Sequence, residues 1–216
     1  MKILTIPNII TIIRIILMPV FIILFFSKGF IYKLSALIVF LVAAVSDYID
    51  GKLARKHNMI SEFGKFLDPL ADKILVLTTL FLFVEIKEFY IPRWLIFLIA
   101  SREIFITGLR IFFIKEKKPM KTSNLGKLKT GFQLSSIIII LIMLCIRTFI
   151  IERKYHLFAR KEARLLNLKN VWDITLGGAW AGILKYLPLF LIAVTTIITV
   201  LSGIHYVLKI RKHSKR

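Results

Sequence analysis

DYIDGKLARKHNMISEFGKFLDPLAD, residues 47–72, places four aspartates within or at the ends of two strongly apolar segments. Asp47 and Asp50 stand three residues apart, and Asp68 and Asp72 four. On helices each pair therefore shares one face. Four carboxylates at a membrane boundary repel one another, and their desolvation is costly unless positive charge lies between them. Oxygen ligands favour a hard divalent cation, Mg2+ or Mn2+, over zinc. Asp47, Asp50, Gly51, Ala54 and Arg55 fall at i, i+3, i+4, i+7 and i+8, a single helical stripe. Gly51 and Ala54 remove bulk from it, so a large ligand can lie against the backbone while Arg55 reaches a phosphate at its far end. Small-residue helix packing is the purely structural use of the same pattern.

Working outward, the chain is 216 residues long, 57% hydrophobic, with net charge +20 and mean hydropathy +0.78. That composition excludes a water-soluble core. Six apolar segments can be read, at residues 8–27, 33–50, 67–86, 93–114, 132–151 and 186–208. Each is near the ~20 residues a helix needs to cross the hydrocarbon. Nothing alternates as barrel strands do, so backbone satisfaction in lipid demands helices. The expectation is an all-α, polytopic integral membrane protein with six transmembrane helices. It forms a single domain over 1–216, without repeats or low-complexity runs. Arg14, Pro19 and the lack of a small-residue cleavage site mark the first segment as a retained helix rather than a signal peptide. The single Cys145 excludes an intrachain disulfide.

Six spans put both termini on one side. That side carries sixteen Lys and Arg residues against eleven on the other, which favours termini and aspartates in the cytoplasm. The basic insertion at 152–185 dissents, with Arg153, Lys154, Arg160, Lys161, Arg164 and Lys169 on the outer side. Phe158, Leu165, Leu168 and Trp172 recur near helical spacing, so part of it is read as lying along the membrane surface. The charge suggests nucleic acid only superficially. Basic residues flank apolar spans, where anionic lipid head groups account for them, and no nucleic-acid module is visible.

Asp47, Asp50, Gly51, Ala54, Arg55, Gly64, Asp68 and Asp72 follow the spacing D-x2-D-G-x2-A-R-x8-G-x3-D-x3-D. All eight positions match, and the chain resembles the CDP-alcohol phosphatidyltransferase family. LDPLADK (67–73), the set Arg102, Glu103 and Arg110, and GKLKT with Gln133 together resemble the branch that forms phosphatidylglycerol phosphate. This likeness spans about residues 5–133; beyond it only hydropathy agrees. The resemblance implies two metal ions, Mg2+ or Mn2+, held by Asp47, Asp50 and Asp68. Asp72 is then the general base and also touches one metal. It implies that Gly51, Ala54 and Arg55 hold CDP-diacylglycerol, joined by Ser61 and Asn8. Asn8 is equally a helix N-cap, and Ser61 has the same alternative.

Arg102 and Arg110 lie eight residues apart on nearly one face. Two membrane-embedded arginines need anions: an acceptor phosphate, or Glu103 and the aspartates as structural partners. Beside them Lys121, Lys127 and Lys129 read as the wall of a phosphomonoester pocket. Glycerol 3-phosphate fits as the acceptor, with CMP released. Inositol phosphate, or phosphatidylglycerol giving cardiolipin, are alternatives within the family. A metal-ion transporter using the four aspartates is the alternative from another class. The family further implies a homodimer in the inner (cytoplasmic) membrane with its active site facing the cytoplasm. Three local expectations complete the reading. His57 and Asn58 lie in a loop, Gly64 turns the chain into the third helix, and Pro69 sits in that helix's first turn. Segments five and six look nearly featureless.

Overall fold

Each apolar segment becomes one helix. The computed structural model describes residues 6–57, 62–115, 124–158 and 178–214. It describes the side chains of 12–46, 73–109, 126, 128–153, 185–208 and 210. The helices are α1 (Ile6–Phe26), α2 (Phe30–His57), α3 (Glu62–Val84), α4 (Arg93–Lys115), α5 (Asn124–Phe158) and α6 (Gly178–Ser214). A short 3-10 turn, Lys87–Phe89, links α3 to α4. There is no strand among the described residues. Two stretches, Leu128–Arg153 and Lys185–Leu208, are long and apolar enough to cross a membrane. Shorter apolar helices run over Ile12–Phe26, Phe30–Ser46 and Lys73–Val84. At 1.5 Å per residue the two long stretches measure ~39 and ~36 Å, against ~30 Å of hydrocarbon. Ile16, Ile23, Phe97 and Ile104 are exposed, as expected of faces turned to lipid.

The helices run past the apolar segments, and this corrects four expectations. His57 is still helical, because Lys52, Leu53, Ala54, Arg55 and Lys56 are all good helix formers. Helix α3 begins at Glu62, so Gly64 lies inside it and Pro69 is its eighth residue, beyond the first turn. Proline there removes one i→i−4 bond, to the carbonyl of Lys65, and does not end the helix. Asn8 also lies inside α1, which removes its N-cap reading.

The chain divides into two compact units. The first comprises Met1–Val76 and Ile138–Gly182. Within it α1 packs along α2, with Phe21 and Phe40 fully buried and their rings 6.0 Å apart. The helices are joined by a tight turn in which Gly29 takes φ 112°, a conformation that favours glycine. The Phe30 N–H then donates to Glu152 Oε2 of α5 at 2.9 Å. The Phe30 and Phe149 rings meet edge-on at 5.1 Å. A carboxylate thus closes the open N-terminus of α2, where orphan N–H groups and the helix dipole favour negative charge. Lys33 Nζ donates to the Phe25 carbonyl at the same turn.

The second unit comprises Leu77–Ile137 and Ile183–Arg216. Its core includes Leu80, Phe83, Ile96, Ile99, Ile137 and Ile192. Tyr90, left-handed at φ 50°, turns the chain toward α4, and Lys185 Nζ lies 4.9 Å from its ring centroid. Ser136 on α5 and Thr195 on α6 share a hydrogen bond at 3.1 Å, which fixes the register between those two helices.

Candidate active site

Helix α2 is continuous through the first half of the aspartate motif. At 100° per residue its five motif positions span about 140° of the helix and rise ~12 Å. Helix α3 carries Asp68 and Asp72 one turn apart. The backbone therefore forms two carboxylate-bearing helix faces, the donor chemistry that a hard divalent cation takes. The side chains of Asn8, Asp47, Asp50, Gly51, Ala54, Arg55, Asp68 and Asp72 lie outside the described residues, as does Ser61 altogether. Among the described residues no group of three or more His, Cys, Asp or Glu forms a metal site.

What the structure adds here is the seat of the α2 stripe. Arg14, in the apolar part of α1, is only 2% exposed. Its Nε donates to the Ala43 carbonyl of α2 at 3.2 Å, one turn before Asp47. An arginine carried within an apolar helix thus ties α1 to the start of the motif.

The described part of the basic set lies in the second unit. Glu103 of α4 and Lys129 of α5 are both buried, and Lys129 Nζ donates to Glu103 Oε1. Arg102 Nη1 lies 3.6 Å from the same oxygen, and Arg102 Nη2 donates to Ser202 Oγ of α6 at 3.0 Å. The structural partner weighed for Arg102 is therefore present. Lys129, expected on the wall of a phosphate pocket, is engaged with a carboxylate inside the helix packing. The reason is burial: an ammonium group out of water needs an anion. Arg110 lies two turns further along α4, and Lys127 lies on the first turn of α5. Their side chains, and Lys121 entirely, fall outside the described residues.

Helix α6 is the contributor that sequence reasoning missed. The Arg102 stem crosses it at Gly203, where an added Cβ would stand 3.1 Å from Cγ and 3.2 Å from Nε. The helix also presents Thr195, Thr199, Ser202 and Tyr206 at i, i+4, i+7 and i+11, all buried. On α5, Lys129, Gln133 and Ser136 recur at i, i+4 and i+7 and are buried too. The Ser136–Thr195 bond sets these stripes against each other as a polar seam inside apolar helices. Gln133 Nε2, Thr199 Oγ1 and Tyr206 Oη are buried with no hydrogen-bond partner among the described residues. The spacing of these hydroxyls is helical, but spacing alone does not separate a polar seam from hydroxyls that bond their own helix backbone.

These features agree with what the chain resembles. The family model for CDP-alcohol phosphatidyltransferase matches residues 4–160, and the chain belongs to that family. Divalent metal ions are general to it. Among curated proteins, the chain is similar to three described as CDP-diacylglycerol–glycerol-3-phosphate 3-phosphatidyltransferase. One, from Bacillus subtilis, is 38% identical over 143 residues, covering 61% of this chain and 73% of the relative. A second, from Rickettsia typhi, is 37% identical over 137 residues, covering 63% and 75%. The third, from Escherichia coli K12, is 37% identical over 134 residues, covering 60% and 72%. The chain is thus a membrane-associated transferase of phospholipid biosynthesis.

Proposed function

We propose that this protein transfers the phosphatidyl group of CDP-diacylglycerol to glycerol 3-phosphate, giving phosphatidylglycerol phosphate and CMP. The observation that carries the reading is the family match over residues 4–160 together with relatives of that description at 37–38% identity. The complete aspartate motif supports it. The acceptor hydroxyl oxygen attacks the phosphorus that bears the diacylglycerol. The bond from that phosphorus to the bridging oxygen breaks, and CMP leaves with the electron pair. Asp72 takes the hydroxyl proton, the ordinary duty of a positioned carboxylate. Asp47, Asp50 and Asp68, with Asp72, would hold two divalent ions, Mg2+ or Mn2+. When bound, these ions neutralise the pyrophosphate and stabilise the leaving group.

Gly51 and Ala54 let the nucleotide approach the α2 backbone, with Arg55 on a phosphate and Asn8 and Ser61 as further contacts. Arg102, Arg110, Lys121, Lys127 and Lys129 form the positive environment of the acceptor phosphate. The reading further holds that all six helices span the membrane, that the active site faces the cytoplasm, and that the protein is a homodimer.

The test is an acceptor screen. Purified protein with CDP-diacylglycerol and Mg2+ is given glycerol 3-phosphate, inositol phosphate, serine or phosphatidylglycerol, and CMP release is followed. Release with glycerol 3-phosphate alone, abolished by chelator, is expected. Release only with another acceptor would overturn the acceptor assignment. No release with any of them, from folded protein, would overturn the transferase reading itself.

A further inference from the structure

A carboxylate is out of place in a pocket meant for phosphate, yet Glu103 lies buried between two of the basic residues assigned to it. It accepts from Lys129 Nζ, and Arg102 Nη1 lies 3.6 Å away. We propose that Glu103, together with Ser202 and Gly203 of α6, is a positioning device that holds Arg102 and Lys129 ready for the acceptor phosphate. The proposal rests on the reading that Arg102 and Lys129 meet that phosphate.

Two neighbouring cations on α4 and α5 repel each other, and within buried surroundings little water screens them. Without an anion between them they would separate, and each arriving phosphate would have to reassemble the site. Glu103 supplies that anion permanently. Helix α6 fixes the second coordinate. Ser202 accepts from Arg102 Nη2 at 3.0 Å while Glu103 stands beside Nη1, so the guanidinium plane is held at two corners. Gly203 lets the Arg102 stem lie directly on the α6 backbone. A Cβ there would stand 3.1 Å from the stem, so the stem would have to give by a few tenths of an ångström. A planar, five-donor guanidinium gains most from such pre-set orientation, since its use against phosphate depends on geometry. A merely structural ion pair would need Lys129 and Glu103 alone. It would have no use for an arginine seated on a third helix by a hydroxyl and a glycine.

Steady-state kinetics on the full-length protein in detergent, varying glycerol 3-phosphate and CDP-diacylglycerol separately, tests this. Glu103→Gln keeps the shape and removes the charge. It is expected to raise KM for glycerol 3-phosphate by about tenfold, the scale of one charge-assisted hydrogen bond. KM for CDP-diacylglycerol and kcat should stay within about threefold, and Glu103→Asp should recover part of the loss. Ser202→Ala and Gly203→Ala should each raise the same KM by a smaller factor. Arg102→Gln and Lys129→Gln run beside them. If those two leave KM for glycerol 3-phosphate unchanged, the acceptor-site reading fails. If they raise it while Glu103→Gln and Ser202→Ala leave it unchanged, or Glu103→Gln lowers it, the positioning proposal fails and the reading stands. Should Glu103→Gln not accumulate as folded protein, Ser202→Ala carries the test, and an unchanged KM overturns the proposal.

Discussion

Removing Glu103 alone from the buried Lys129–Glu103 pair should cost more than removing both side chains. The two side chains are 3% and 2% exposed. Breaking a pair buried to that degree costs about 3–5 kcal/mol, because the survivor is left charged in a low-dielectric site. The neighbouring Arg102 makes the two single variants unequal. In Lys129→Met, Glu103 keeps a guanidinium nitrogen 3.6 Å away, so the cost falls near the low end, ~3 kcal/mol. In Glu103→Gln, the Lys129 ammonium and the Arg102 guanidinium lose the carboxylate they share, and the cost moves toward ~5 kcal/mol. For a chain of this length, 1 kcal/mol corresponds to ~2–4 °C in Tm. Lys129→Met should then melt ~6–12 °C below the parent and Glu103→Gln ~10–20 °C below it. The double variant Glu103→Gln/Lys129→Met should melt above Glu103→Gln, since replacing Lys129 as well removes the repulsion between the two cations. Thermal unfolding of detergent-solubilised protein, followed by intrinsic fluorescence or circular dichroism, reads all four. Strictly additive losses in the double variant would refute the argument, because two side chains that share a bond must show coupling. Equal melting of both single variants would refute the part assigned to Arg102.

Asp72→Asn should lower kcat by about 10²–10⁴-fold while the protein stays folded, measured as CMP release. EDTA should abolish CMP release, and restoring Mg2+ or Mn2+ should recover it; activity surviving exhaustive chelation would remove the metal role of Asp47, Asp50 and Asp68. Glu152→Gln should weaken the closure of α2 at the Phe30 N–H. Because that bond is exposed, the loss should be only ~1 kcal/mol, or ~2–4 °C in Tm, and kcat should not change.

The fold was legible where burial in lipid dictates sequence. A run of ~20 apolar residues has few conformational options, and every such run is a helix here. Helix ends were less legible, because Lys, Ala, Leu and Arg continue a helix once it has left the hydrocarbon. Pro69 shows the same limit: proline suggests a boundary, but a helix tolerates it at the loss of one hydrogen bond. The aspartate motif was readable as a family signature, because its eight residue types stand at fixed offsets. The α6 contribution was not, because a hydroxyl in a helix can bond its own backbone. Thr195 and Thr196 donate to the Leu191 and Ile192 carbonyls, and from sequence alone each passes for apolar filler. Only the partner across the helix pair reveals the seam. Gly203 was silent for a similar reason, since its meaning lies in the Arg102 stem that rests on it. Lys129 is legible from its charge as a partner for an anion, but its bond to Glu103 is not, because burial, which only the fold shows, demands a carboxylate beside it.

The Arg14–Ala43 contact bears on how the chain enters its membrane. An arginine near the middle of an isolated apolar helix costs ~2.5–3.5 kcal/mol to insert, so α1 alone is a poor integration signal. The contact with the α2 backbone lowers that penalty, and it exists only when α2 is beside α1. If α1 and α2 span the bilayer, they should therefore enter it together, as a hairpin held by the tight turn at Gly29. The motif-bearing helix would then have its seat against α1 before the later helices are synthesised.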